Sequence, residues 1–215
     1  RTLFDAGHAA EDALWFDTTD AQHFCAIVAD GASQSAMGGI SAQVISQNLY
    51  RLYRHVGSRM PTKDEIIHLF SCARWDCHEL LDTAMQSVPS YMRLSVEQKR
   101  RTSGSQSVVS MVIRHDDKLL VAWVGNVRVI IPGIIEADSP LFDSDGARFT
   151  SNHGLLGELN YKEFDISTLN PIRIIMHSDA VEHMKHRLVE RTLTDAELEE
   201  CAKSDDTTVI DIRIA

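Results

Sequence analysis

Runs of apolar residues with two different spacings divide the chain. Near the start, Ala13-Leu14-Trp15-Phe16 and Phe24 to Ala29 are short β-like runs. The polar cluster Asp17-Thr18-Thr19-Asp20 between them predicts a turn, and hence a hairpin. After Gly38-Gly39 the spacing changes. Ile40, Val44, Ile45, Leu49, Leu52 and Tyr53 fall on one face of a helix that Gly57 stops. A second helix begins after Thr62, which has the spacing of a capping box with Glu65. Ile66, Ile67, Phe70, Ala73, Cys77, Leu80, Leu81 and Ala84 carry its apolar face to about Met85. Two long consecutive helices of this kind predict an antiparallel pair packed on a sheet.

Residues 87–106 lose this periodicity and gain charge at Glu97-Gln98-Lys99-Arg100-Arg101, which predicts a mobile loop. Its basic run reads as solvated, with contact to a phosphorylated substrate as the alternative. Strands are expected at about 107–114 and 118–124, around His115-Asp116-Asp117. A type II′ turn at Gly125-Asn126 is expected to fold 127–131 back as a hairpin strand. Beyond the variable stretch 132–170 come a strand at 172–177, helices at about 180–190 and 195–203, and a closing strand. Strands joined by hairpins, with helices in separate blocks, predict α+β rather than a doubly wound parallel sheet.

A chain of 215 residues that is 44% apolar can bury one good core. A single domain spanning 1–215 is expected, because chemistry-bearing segments near both ends look like parts of one site. The net charge of −10 disfavours a nucleic-acid partner, which would call for a basic footprint. No apolar run approaches the ~20 residues of a membrane span, and the start has no signal-peptide pattern, so no membrane role is expected. Beginning at Arg1 rather than Met suggests a trimmed or excised domain. Cys25, Cys72, Cys77 and Cys201 show no zinc-like pairing and read as buried structural thiols. Sparse cysteines of this kind agree with a reducing, cytoplasmic location.

The candidate chemistry lies in three segments: Ala29-Asp30-Gly31-Ala32-Ser33, His177-Ser178-Asp179-Ala180 and Ser204-Asp205-Asp206-Thr207-Thr208-Val209. Each places an Asp at the edge of an apolar, strand-like run, where a rigid sheet can hold side chains at a loop-built site. Lone Asp residues at strand ends are commonly turn formers. If these three converge, their repulsion calls for a cation among them, and an all-oxygen donor set suits Mg²⁺ or Mn²⁺.

The order and local sequence of these segments resemble the metal-dependent protein phosphatases of the type 2C (PPM) superfamily, from about Glu11 to Ile214. Glu11-Asp12-Ala13 resembles the family's early Glu-Asp motif, and Val28-Ala29-Asp30-Gly31 its Asp-Gly metal motif. Ser103 to Val109 resembles the Gly-Ser/Thr strand entry, and Ala122 to Arg128 the Val-Gly-Asp-Ser-Arg segment. Asn152 to Gly157 is similar to the Leu-Gly turn, Ser178-Asp179-Ala180 to Ser-Asp-Gly, and Asp205 to Val209 to the closing Asp-Asn/Asp-x-Thr-Val.

The resemblance implies an αββα sandwich of two mainly antiparallel sheets flanked by helical layers. It also implies a Mg²⁺/Mn²⁺-dependent serine/threonine phosphatase holding two ions, in which a metal-bridging hydroxide attacks the phosphomonoester of a phosphorylated protein. It assigns Asp30 as the bridging carboxylate, the Gly31 carbonyl to one ion, Asp179 and Asp205 to the other, and Glu11 and Asp12 to metal-bound waters. Asp206, beside Asp205, is expected to cap or orient the loop. His8, His153, His177 and His183 lie beside motifs and are proton-donor candidates, with surface or packing roles as the plainer reading. The missing Cβ of Gly31 is expected to let its carbonyl approach an ion.

Several positions depart from the family pattern. The phosphate-gripping Arg often found five residues before the Asp of the Glu-Asp motif is Gly7, with Arg128 or Arg1 as possible substitutes. The His that some members carry after the bridging Asp is Ala32, and the Gly of Ser-Asp-Gly is Ala180. Asn126 and His183 stand where two carboxylates are associated with a third, weaker ion, so that site is expected to be damaged. These losses keep a second reading open: a catalytically impaired phosphatase-like binding or regulatory module.

Overall fold

The computed structural model describes residues 11–18, 22–143, 146–169, 171–204 and 206–214. Strict alternation along one strand sets its layering. In β2 (His23–Gly31), Cys25, Ile27 and Ala29 face one apolar layer, and Phe24, Ala26 and Val28 face another. Both sets are at most 1% exposed, so this strand is buried on both faces.

The first sheet has the order β1-β2-β3-β4-β8, from β1 (Ala13–Thr18), β3 (Gln106–His115), β4 (Lys118–Val124) and β8 (Asn160–Asp165). β1 and β2 form the expected antiparallel pair, with Ala13 opposite Ala29. The short strands β6 (Arg148–Thr150) and β7 (Gly154–Leu156) extend it, β6 pairing with the start of β3. The second sheet is β10-β9-β5, from β5 (Arg128–Ile130), β9 (Ile172–His177) and β10 (Val209–Ile214). All recorded pairings between strands are antiparallel.

Between the sheets lie Phe24, Val112, Val121 and Trp123 from the first, and Val129, Ile174, Met176 and Ile212 from the second. Helices α1 (Gly38–Val56) and α2 (Lys63–Met85) cover the outer face of the first sheet through Val44, Ile45, Leu49, Phe70 and Leu81. Helices α4 (Lys185–Glu190) and α5 (Asp195–Ser204) join Ile130 and Ile175 in a third apolar layer, through Leu188 and Cys201. The fold is therefore α+β, with αββα layering, as the resemblance implies. The capping box forms as the Thr62 and Glu65 spacing predicts: the Glu65 amide donates to Thr62 Oγ1 at 3.2 Å, and the Thr62 amide to Glu65 Oε2 at 2.8 Å.

Two expectations are corrected. Ser90–Thr102 is a helix, α3, not a mobile loop. It buries none of its residues, so it carries no core-facing stripe in the sequence. Arg100 ties it to Asp82 of α2 at 2.5 Å, and its last turn carries Lys99, Arg100 and Arg101, which complement the helix dipole. The expected hairpin at Gly125-Asn126 does not form. Gly125 does take a positive φ of +82°, but β5 crosses to the second sheet and pairs with β9, Arg128 opposite His177. No helix among the described residues is long and apolar enough to cross a membrane.

Candidate active site

One end of the sandwich gathers segments from across the chain around a cavity of about 170 Å³. Glu11 comes from the segment before β1, Asp30 and Gly31 from the end of β2, and Asp179 from the turn of 3₁₀ helix that follows β9. The lining also takes Gln106, Ser107 and Val108 from the start of β3, Asn126 from the crossover, and Arg148 from β6. Backbone pairing fixes these positions. Asp30 lies opposite Val108, Gly31 opposite Ser107, and Ser107 in turn opposite Phe149, beside Arg148.

Glu11 and Asp206, far apart in sequence, are drawn together here. The Gly31 amide donates to the Glu11 carbonyl at 3.1 Å, and the Glu11 amide donates to the Asp206 carboxylate. Asp206 thus orients the first motif. Ser178, fully buried, donates its amide to the Thr208 carbonyl, while its hydroxyl accepts the Thr208 amide at 3.1 Å. The closing motif is therefore bound to the segment carrying Asp179. Both carboxylate oxygens of Asp12 are buried next to Glu11. Asp205 lies outside the described residues, as do Arg1, Gly7 and His8.

Among the described residues, Glu11, Asp30 and Asp179 share the cavity without forming a three-carboxylate group whose ligand oxygens all lie within 4.8 Å of one another. Oxygen donors and room for small ions suit Mg²⁺ or Mn²⁺.

Gly31 is also required by packing. A Cβ there would lie 2.4 Å from the backbone carbon of Gly38, so the loop after β2 packs directly on the start of α1. Arg128 is not a free phosphate grip. It is 7% exposed and donates to Glu182 at 2.8 Å and to the Ala137 and Ser139 carbonyls at 3.3 and 3.0 Å. His177 is 1% exposed, its Nδ1 lies 2.8 Å from the Ser178 carbonyl oxygen, and burial pushes its pKa down. It is a buried packing group whose charged form is disfavoured.

The sequence reading missed Arg148. Its Nε is buried with no hydrogen-bond partner among the described residues, although the residue lines the cavity that holds the carboxylates. A guanidinium nitrogen left unsatisfied beside anionic groups is suited to an incoming anion. Ser107 Oγ, also buried without a hydrogen bond, lines the same wall. No motif marks Arg148; only the pairing of β6 with β3 brings it here.

The cysteines divide by place: Cys25, Cys77 and Cys201 are buried, but Cys72 is exposed, contrary to expectation. Burial pushes the Cys77 thiol up to about 12, and raises that of Cys25 further.

No protein-family model matches the chain, and no curated protein matches it. Solved structures do. The catalytic domain of the serine/threonine protein phosphatase PstP, in complex with two manganese ions, matches with a TM-score of 0.58 at 15% identity over 100% of this chain and 95% of that one. A bacterial serine phosphatase matches at 0.57 and 10% identity, over 97% and 93%. The serine/threonine phosphatase Stp1 from Staphylococcus aureus matches at 0.55 and 12% identity, over 97% and 89%. The αββα architecture of this chain is therefore the fold of these serine/threonine phosphatases.

Proposed function

We propose that the chain is a Mg²⁺- or Mn²⁺-dependent phosphatase acting on phosphoserine or phosphothreonine in proteins. The observation that carries this reading is the convergence of Glu11, Asp30, Asp179 and Arg148 on one cavity. Asp30, Asp179 and Asp205, with the Gly31 carbonyl, would hold two ions, Glu11 and Asp12 reaching them through water. Ions bound there would lower the pKa of water and offset the charge of the phosphoryl oxygens.

The chain's own groups supply the rest. Arg148 would grip a phosphoryl oxygen and orient the ester in line with the attacking water. Glu11, anchored by its backbone to Asp206, would hold that water and accept its proton. The rigid pairing of β2 with β3 fixes Asp30 and leaves little reorganisation for the reaction itself. The printed descriptions of the structural neighbours as serine/threonine phosphatases support the protein substrate class.

Assay of the purified chain with Mn²⁺ and a phosphopeptide tests the reading. Hydrolysis should stop with chelator and fall at least ~100-fold in Asp30→Asn, the scale of losing a transition-state electrostatic group. Turnover indifferent to both would sink it. One observation favours a second reading, a binding module without turnover: Asn126 places a neutral amide in the cavity lining. Phosphopeptide bound tightly with Mn²⁺ yet never hydrolysed would select that reading.

A further inference from the structure

A second group of metal-binding side chains lies at the other end of the same two strands. β2 begins at His23 and β3 ends at His115, and the two residues face each other in register. Their rings meet edge to face, with centroids 4.6 Å apart. Asp116 opens the turn into β4 with φ +55°, its amide bonded to the Gln22 carbonyl at 3.0 Å. That turn holds the carboxylate over both rings: Oδ1 is 3.5 Å from His23 Nε2, and Oδ2 is 3.2 Å from His115 Nδ1. One ligand atom from each residue lies within 4.8 Å of the other two, and no other such trio occurs among the described residues.

The spacing is looser than that of a tight ion pair. Charge-assisted N–H to carboxylate hydrogen bonds settle at ~2.7–2.9 Å. Zinc bonds of ~2.0–2.2 Å to nitrogen and oxygen in a tetrahedron place neighbouring ligand atoms ~3.3–3.5 Å apart. The two His–Asp separations, 3.2 and 3.5 Å to different oxygens of the carboxylate, both exceed the first value, and a trio of ligand atoms within 4.8 Å leaves room for an ion to draw them in. The donor chemistry points the same way. Two imidazoles and one carboxylate form a borderline set that favours Zn²⁺ and its neighbours over Mg²⁺.

The site has a place for a further ligand as well. His115 and Asp116 border an open cavity of about 430 Å³, together with Arg59, Asp117, Lys118 and Glu163. Three protein ligands with one position open to water or an outside group is the pattern of a zinc site that is not closed for purely structural use. Seven residue steps along β2 separate His23 from Asp30, ~23 Å at ~3.3 Å per residue, so this centre is separate from the carboxylate cavity.

We propose that His23, His115 and Asp116 form a binding site for one Zn²⁺-class transition-metal ion, which clamps the β2–β3 end of the sheet. Calorimetric titration of the whole chain with Zn²⁺, in excess Mg²⁺ to fill the carboxylate cavity, tests it. One Zn²⁺ should bind per chain, and the affinity should fall at least ~10-fold in Asp116→Asn and ~100-fold in His23→Ala/His115→Ala, since loss of even an outer hydrogen-bond partner of a metal ligand costs ~10- to 100-fold. Asp30→Asn should leave this event unchanged. Co²⁺ should give the intense visible band of a four-coordinate ion in the wild type and lose it in the double variant. Thermal melts without metal show whether the variants fold; Asp116 is 62% exposed in its side chain, so Asp116→Asn serves if the double variant does not. Equal Zn²⁺ affinity in all folded variants, or loss of the event in Asp30→Asn alone, would overturn the assignment.

Discussion

Replacing Arg148 by alanine separates catalysis from stability at this site. In the structure its Nε is buried with no hydrogen-bond partner among the described residues, so that nitrogen is desolvated without a bond in return, while the residue as a whole is only half-buried. Its removal should therefore cost little stability, and the melting temperature should hold or rise slightly. The effect on turnover should be large. A hydrogen bond to a charged group contributes ~1.5–3 kcal/mol, which corresponds to a ~10- to 150-fold loss in kcat/KM. Arg148→Lys keeps the charge but loses the planar fork, and should recover only part of that loss. Steady-state kinetics with a phosphopeptide and saturating Mn²⁺, beside a thermal melt, measure both quantities. Unchanged kcat/KM in Arg148→Ala would refute the phosphate-gripping role. A melting temperature lowered by many degrees would refute the claim that the side chain is unsatisfied in the folded protein.

Gly31→Ala should be costly, because its Cβ would fall 2.4 Å from the Gly38 backbone; overpacking of ~1–3 kcal/mol predicts a melting temperature ~2–12 °C lower, read by calorimetry. Chelator should lower the melting temperature while far-UV circular dichroism retains its helical signal, since the helices are held by extensive apolar layers. A thiol reagent at neutral pH should modify Cys72 first, with Cys25 and Cys77 protected by burial until the chain unfolds; mass mapping of the labelled peptides checks the order. His177 should remain neutral at the ordinary imidazole pKa of ~6.5, because burial disfavours its charged form. Lowering the pH through that value then adds a proton to the unfolded chain but not to the folded one, so His177 removes stability on the acid side, and NMR of its ring carbons reads its charge directly.

The two long helices were legible in the sequence because their signals are local. A 3.6-residue apolar period, Thr62 with Glu65 at one end and Gly57 at another lie within a few turns of the backbone they control. Most strands were legible for the same reason. The Asp residues at strand ends could be recognised, and Asp30 and Asp179 do reach a shared cavity. Helix α3 was missed because it buries nothing, so no apolar period records it. The partner of β5 was missed because a glycine with positive φ serves a hairpin and a crossover equally well.

Tertiary structure alone decided which groups meet. The Glu11 amide finds Asp206 across 195 residues of sequence, and Arg148 reaches the cavity only through the pairing of β6 with β3. The same pairing of β2 with β3 sets His23 against His115 at the far end. Periodicity says which face of an element is buried. It carries no record of which distant segment covers that face, since those hydrogen bonds and apolar contacts form only after the chain has closed its long loops.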